Sequence, residues 1–217
     1  MRLTPRDAHP EGRFSGLLGV DIVDFTGRQR NDDIRAYLRK ELHTMLRAGF
    51  DGSGLGWHDC VYEDRGDGGL IVIPPGMPLA RVIDPLPERL RGLIRRHNQV
   101  FRDAAGMQLR AAFHIGPTFQ DEQGYVGTDV NIMFRLLEAS ALKREIASSG
   151  AEFGLIVSPY VYETFVRRNP GLVDPAAFKP VRVRVKSTNT RGWIYLPGHA
   201  PGGGGGTTLR LPAGAAP

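Results

Sequence analysis

Cysteine is almost absent: Cys60 is the only one in 217 residues, which excludes an intrachain disulfide. A chain with one thiol suits a compartment that keeps thiols reduced, and Cys60 reads as small apolar filler rather than a nucleophile. Long apolar runs are also missing. No segment approaches ~18 uninterrupted apolar residues, and the opening MRLTPRDAHPEGR lacks the apolar stretch of a signal peptide. The expectation is a cytoplasmic protein with no membrane partner. The six histidines lack zinc-like spacing, and His114, in AAFHIGP, reads as a packed strand residue. Basic residues are in surplus, with a net charge of +5 and a pI near 9.6. They are spread through RLRGLIRRHNQVFR, LKR and VRVRVK with no basic block interleaved with stacking aromatics. Solvated helix faces account for them without a nucleic-acid partner, and a polyphosphate pocket is another use for such charge.

What is present suits one packed domain. Hydrophobic residues make up 41% of the chain, enough for one core and too little for two. Residues 1–13 form a polar leader, 14–197 the folded domain, and 198–217 a Gly/Pro-rich tail that cannot bury enough apolar surface to offset its chain entropy. Residues 14–25 read as a strand. NDDIRAYLRKELHTMLRAGF reads as a helix whose apolar positions recur at three and four, capped by Asn31 or Asp32. The glycines of DGSGLG make a plain turn, since no Lys-Ser/Thr pair follows. CVYEDRGDGGLIVIPP has the shape of a hairpin. LPERLRGLIRRHNQVFRDA is a second helix, LRAAFHIG a strand, DEQG a turn, and DVNIMFRLLEASALKREIA a third helical region. FGLIVSP is a buried strand, YVYETFVRR a helix, and FKPVRVRVKS with RGWIYLP a last hairpin. The mixture predicts an α+β fold with helices packed on a mostly antiparallel sheet.

Two signals carry chemistry. The run LLGVDIVDFT is a buried strand interrupted by Asp21, with Asp24 close behind. An unpaired carboxylate there costs several kcal/mol, so Asp21 must reach a strand end, a cation or a metal. In RGDGG, Asp67 is exposed at a hairpin tip whose glycines admit close approach. Two carboxylates on neighbouring strands suit Mg2+ or Mn2+. On spacing alone, an Asp21–arginine pair and a plain turn at Asp67 fit equally well. In DVNIMFRLLEA, Asn131, Arg135 and Glu138 share one helix face. An amide and a guanidinium there suit a phosphoryl group, and a plain Arg135–Glu138 surface pair fits the same spacing.

GVDIVDFT, EDRGDGGLIV, LRAAFHIGPTF and GYVGTDVNIMFRLLEAS, in this order, resemble the catalytic domain of class III nucleotidyl (adenylate and guanylate) cyclases over residues 14–197. The variant is most similar to a group of actinobacterial cyclase-like proteins and to the pyrimidine cyclases of Pycsar antiphage systems. The resemblance implies a ferredoxin-like cyclase fold. It also implies two divalent ions, Mn2+ or Mg2+, held by Asp21, the Ile22 carbonyl and Asp67. Asn131 would position the ribose, Arg135 would stabilise the pentavalent phosphate, and Lys186 would hold the triphosphate. In the family it resembles, metal ligands come from one chain and Asn and Arg from its partner, so the resemblance implies a homodimer with shared sites.

For the base, the resemblance points to Glu63, where adenylate cyclases place a Lys, and to Gly124 and Tyr125 in the shortened hairpin. A carboxylate accepts from N–H groups, favouring UTP, GTP or CTP over ATP. Arg65 and Tyr62 flank the same loop. The implied reaction yields a 3',5'-cyclic monophosphate and pyrophosphate, in antiphage signalling with a downstream cyclic-nucleotide effector. The alternative is an inactive cyclase-fold nucleotide sensor or dimerisation module.

Overall fold

The computed structural model describes residues 12–101, 103–169 and 173–199. Most of the leader and of the tail therefore lies outside the described residues. Eight strands and five helices follow in the order β1 (Arg13–Ile22), α1 (Asp32–Gly52), β2 (Val61–Asp64), β3 (Gly68–Ile73), α2 (Leu86–Val100), β4 (Leu109–Asp121), β5 (Gly124–Val126), α3 (Thr128–Leu137), α4 (Ser140–Ser149), β6 (Phe153–Val157), α5 (Pro159–Val161), β7 (Phe178–Val185) and β8 (Thr188–Tyr195). The strands form a mixed sheet in the order β2-β3-β1-β4-β6-β8-β7, with β5 paired to β4. All pairings are antiparallel except β4 with β6. The α+β expectation holds.

Each face of the sheet buries its own core. Alternate residues of β1 point to opposite faces, so Leu18, Val20 and Ile22 meet α1 and α2, whereas Leu17 meets α3 and α4. The α1 stripe does what its spacing predicts: Leu38, Leu42, Met45, Leu46 and Phe50 are buried, and Asn31 caps the helix by accepting from the Ile34 N–H at 2.9 Å. Each fully buried Leu or Phe contributes about 1.5–3 kcal/mol. On the other face Met133 of α3 lies against Gly19 of β1, which seats α3 over the strand carrying Asp21.

Three boundaries differ from the sequence expectation. β1 stops at Ile22 rather than residue 25, because the chain turns and Asp24 takes a left-handed φ of 54°. The third helical region divides into α3 and α4, with Ala139 extended between them (ψ 122°). The segment after Ser158 is one short α-turn followed by a π-helical stretch, Tyr162–Val166. Among the described residues no helix is long and apolar enough to cross a membrane.

Candidate active site

The two carboxylates meet because of strand register. Gly68 pairs with Asp21 across β1 and β3, and the Ile22 N–H donates to the Asp67 carbonyl at 2.8 Å. A Cβ at Gly68 would overlap the Val20 carbonyl oxygen, so only glycine lets the hairpin tip close onto β1. Asp67 is exposed and Asp21 is mostly enclosed. The pair is close enough for the Asp67 charge to act on Asp21.

Asp21 also has a partner that the residue reading left open. Arg110, its register partner on β4, donates Nε–H and Nη2–H to the two carboxylate oxygens, both at 2.7 Å. Burial pushes the Asp21 carboxyl above its ordinary value. The hydrogen bond and charge of Arg110 oppose that rise, Asp67 adds to it, and Lys143 opposes it more weakly.

The donor set fits a hard divalent ion: two carboxylates and the Ile22 carbonyl at a glycine-lined tip, with no soft ligand among them. The Arg110 guanidinium already occupies the place of a cation on Asp21. Among the described residues, no three His, Cys, Asp or Glu side chains gather in a metal cluster. Any ion therefore relies on backbone oxygen and on substrate phosphates as well.

Asn131, Arg135 and Lys186 lie on α3 and at the β7–β8 turn. Asn131 and Arg135 lie one turn apart on α3. Arg135 Nη1 donates to the Thr188 hydroxyl on the β7–β8 hairpin, and Lys186 sits exposed in the turn of that hairpin, with a left-handed φ of 51°. Arg135 therefore pairs with Thr188 rather than with Glu138.

Glu63, Gly124 and Tyr125 do come together. Glu63 Oε1 accepts the Tyr125 N–H at 2.8 Å, and Oε2 accepts from Arg65 at 3.0 Å. Gly124, at a φ of 129°, leaves room for the Glu63 carboxylate. Arg65 in turn lies 5.1 Å from the Phe134 ring centroid on α3, a cation–π contact. Tyr62 donates its hydroxyl to the Gly68 carbonyl at 3.2 Å, supporting the hairpin tip from below.

His114 has more to do than fill a strand. Buried, it places Nε2 2.8 Å from Asp129 Oδ1 in the first turn of α3, while its Nδ1 has no hydrogen-bond partner. α3 has no side-chain cap at Gly127, and this contact ties the first turn of the helix that carries Asn131 to β4. Neither Arg110 nor His114 was legible as a site residue, because each acts across a strand pairing that local pattern does not record.

No family model and no curated protein matches the sequence. Solved structures do. The chain is similar to the guanylyl cyclase Cya2, at 15% identity and a TM-score of 0.59 over 86% of this chain and 93% of that one. It is similar to an adenylate/guanylate cyclase/hydrolase from Silicibacter pomeroyi, at 16% identity and a TM-score of 0.59 over 86% and 98%. The guanylate cyclase domain of RhGC from Catenaria anguillulae, solved in complex with GTP, matches at 16% identity and a TM-score of 0.55 over 85% and 97%. The fold of this chain is that of the class III adenylate and guanylate cyclase catalytic domains.

Proposed function

We propose that the protein is a metal-dependent nucleotidyl cyclase that converts a nucleoside triphosphate to a 3',5'-cyclic monophosphate and pyrophosphate. The observation that carries this reading is the meeting of Asp21 and Asp67 at one end of β1 in a cyclase fold. Asp21 and Asp67 would hold divalent ions, whose chemistry there would be Lewis acidity toward the ribose 3'-hydroxyl and charge neutralisation of the phosphates. The 3'-oxygen then bonds to the α-phosphorus as the bond to the α–β bridging oxygen breaks. The hydroxyl proton leaves to water, and the electron pair of the broken bond stays on pyrophosphate. Asn131 would orient the ribose, Arg135 would bind the phosphoryl oxygens as they gain charge, and Lys186 would hold the triphosphate.

By the sequence resemblance, a complete site takes its metal ligands from one protomer and Asn131 and Arg135 from its partner, so a second copy is part of the proposal. The proposed species is a cytoplasmic homodimer with two shared sites.

For the base, Glu63 accepts from N–H groups and Arg65 adds donors beside it. Guanine, uracil and cytosine offer matching edges, so UTP, GTP or CTP is favoured over ATP. A pyrimidine cyclase in antiphage signalling, feeding a cyclic-nucleotide effector, is the biological role we propose on sequence resemblance.

A second reading has one observation behind it: Arg110 takes both oxygens of Asp21, as it would in a nucleotide-binding sensor that does not turn over. Incubation with each of ATP, GTP, CTP and UTP plus Mn2+ or Mg2+, with mass detection of cyclic monophosphates, decides. A cyclic product that vanishes in Asp67→Ala supports the cyclase. No product from any nucleotide by a folded dimer supports the sensor.

A further inference from the structure

On the Arg110 side of Asp21, between the end of β1 and α4, lies a recess of about 180 Å³ whose lining includes Val23, Asp24, Gln108, Arg110, Lys143 and Ile146. Two cations border it. Arg110 holds Asp21 with two N–H groups, and a guanidinium has five, so the others remain for an anion. Lys143 is exposed and its side chain makes no hydrogen bond or ion pair among the described residues, yet its charge reaches Asp21. The acid in the lining, Asp24, has its carboxylate drawn aside by Gln29 Nε2 at 2.9 Å.

The charge balance gives Lys143 a purpose. Arg110 is committed to Asp21 through two of its N–H groups, whereas the Lys143 side chain has no partner among the described residues. When the bond from the α-phosphorus to the bridging oxygen breaks, its electron pair and the larger share of the negative charge go to the leaving pyrophosphate. On the protomer that carries Asp21, the recess is bordered by Lys143 of α4, whose charge is free to meet such a group. We infer that Lys143, together with Arg110, forms a subsite for inorganic pyrophosphate at the mouth of this recess, and that Lys143 neutralises the leaving group. The inference rests on the cyclase reading for its role in turnover, but the anion site is defined by the recess itself.

Calorimetric titration of Mg2+-pyrophosphate into the full-length wild type, Lys143→Met, Lys143→Arg and Lys40→Met tests it. Lys40 is an exposed lysine on α1 and serves as the control for loss of one charge. Removing one charge-assisted partner predicts binding about 10-fold or more weaker in Lys143→Met, nearly restored in Lys143→Arg, and unchanged in Lys40→Met. Wild-type affinity in Lys143→Met overturns the subsite, and so does a wild type that binds no pyrophosphate. The cyclase assay separates the two claims. Cyclic product with Lys143-independent pyrophosphate binding overturns the subsite alone. Lys143-dependent binding without cyclic product upholds the subsite and overturns the cyclase reading.

Discussion

At the scale of single residues, Asp21 is the most informative position in the chain. It is a buried acid that a strand would reject unless a cation met it, and Arg110 meets it across 89 residues of sequence. Removing that guanidinium leaves an uncompensated buried carboxylate, so Arg110→Ala should lose about 3–5 kcal/mol by urea unfolding. A divalent ion would replace the missing charge, so Mn2+ should raise the melting temperature of Arg110→Ala by more than it raises that of the wild type. Equal shifts would mean that no ion reaches Asp21.

Asp67, exposed at its hairpin tip, behaves differently. Asp67→Ala should stay within about 0.5 kcal/mol of wild-type stability while losing cyclisation. Cys60 sets an alkaline limit. Burial, with Asp59 and Asp51 nearby, pushes its thiol from 9.0 to about 11, and burial with Asp64 pushes Tyr62 from 10.0 to about 12. The folded state keeps these protons after the unfolded chain has released them. Their stabilisation is therefore complete below pH 9 and is lost as pH rises from about 9 to about 12. Stability measured against pH should fall over that window, less steeply in Cys60→Ala. A flat profile would contradict the burial of both groups.

At the scale of elements, hydrophobic period revealed most of the fold. The α1 stripe and the glycine turn between β2 and β3 were legible because side-chain period and turn chemistry are local properties. The break between α3 and α4 was not. Glu138, Ala139 and Ser140 include no Gly or Pro, and the chain turns there because α3 must lie on β1 while Ile146 of α4 packs with the same core. The site divides in the same way. Asp21 and Asp67 announced themselves as acids in the wrong surroundings, whereas Arg110 and His114 became visible only once β1 and β4 were in register. His114 anchors α3 through Asp129, so His114→Phe should lower kcat by positioning Asn131 poorly, with a smaller change in Mn2+ binding at the carboxylate pair. Equal losses in both would show general unfolding rather than displacement of one helix.

At the scale of the molecule, the proposed cyclase works as a pair. In that reading the carboxylate pair at the end of β1 of one protomer is completed by the α3 and β7–β8 residues Asn131, Arg135 and Lys186 contributed by a second copy. The measurement that tests this most directly mixes two inactive variants, Asp67→Ala and Arg135→Ala, and assays cyclic monophosphate formation. In the mixed dimer one site carries both lesions and the other carries neither. Random exchange of subunits should therefore restore about one quarter of wild-type activity. A mixture no more active than either variant alone, despite subunit exchange, would contradict a site shared between protomers.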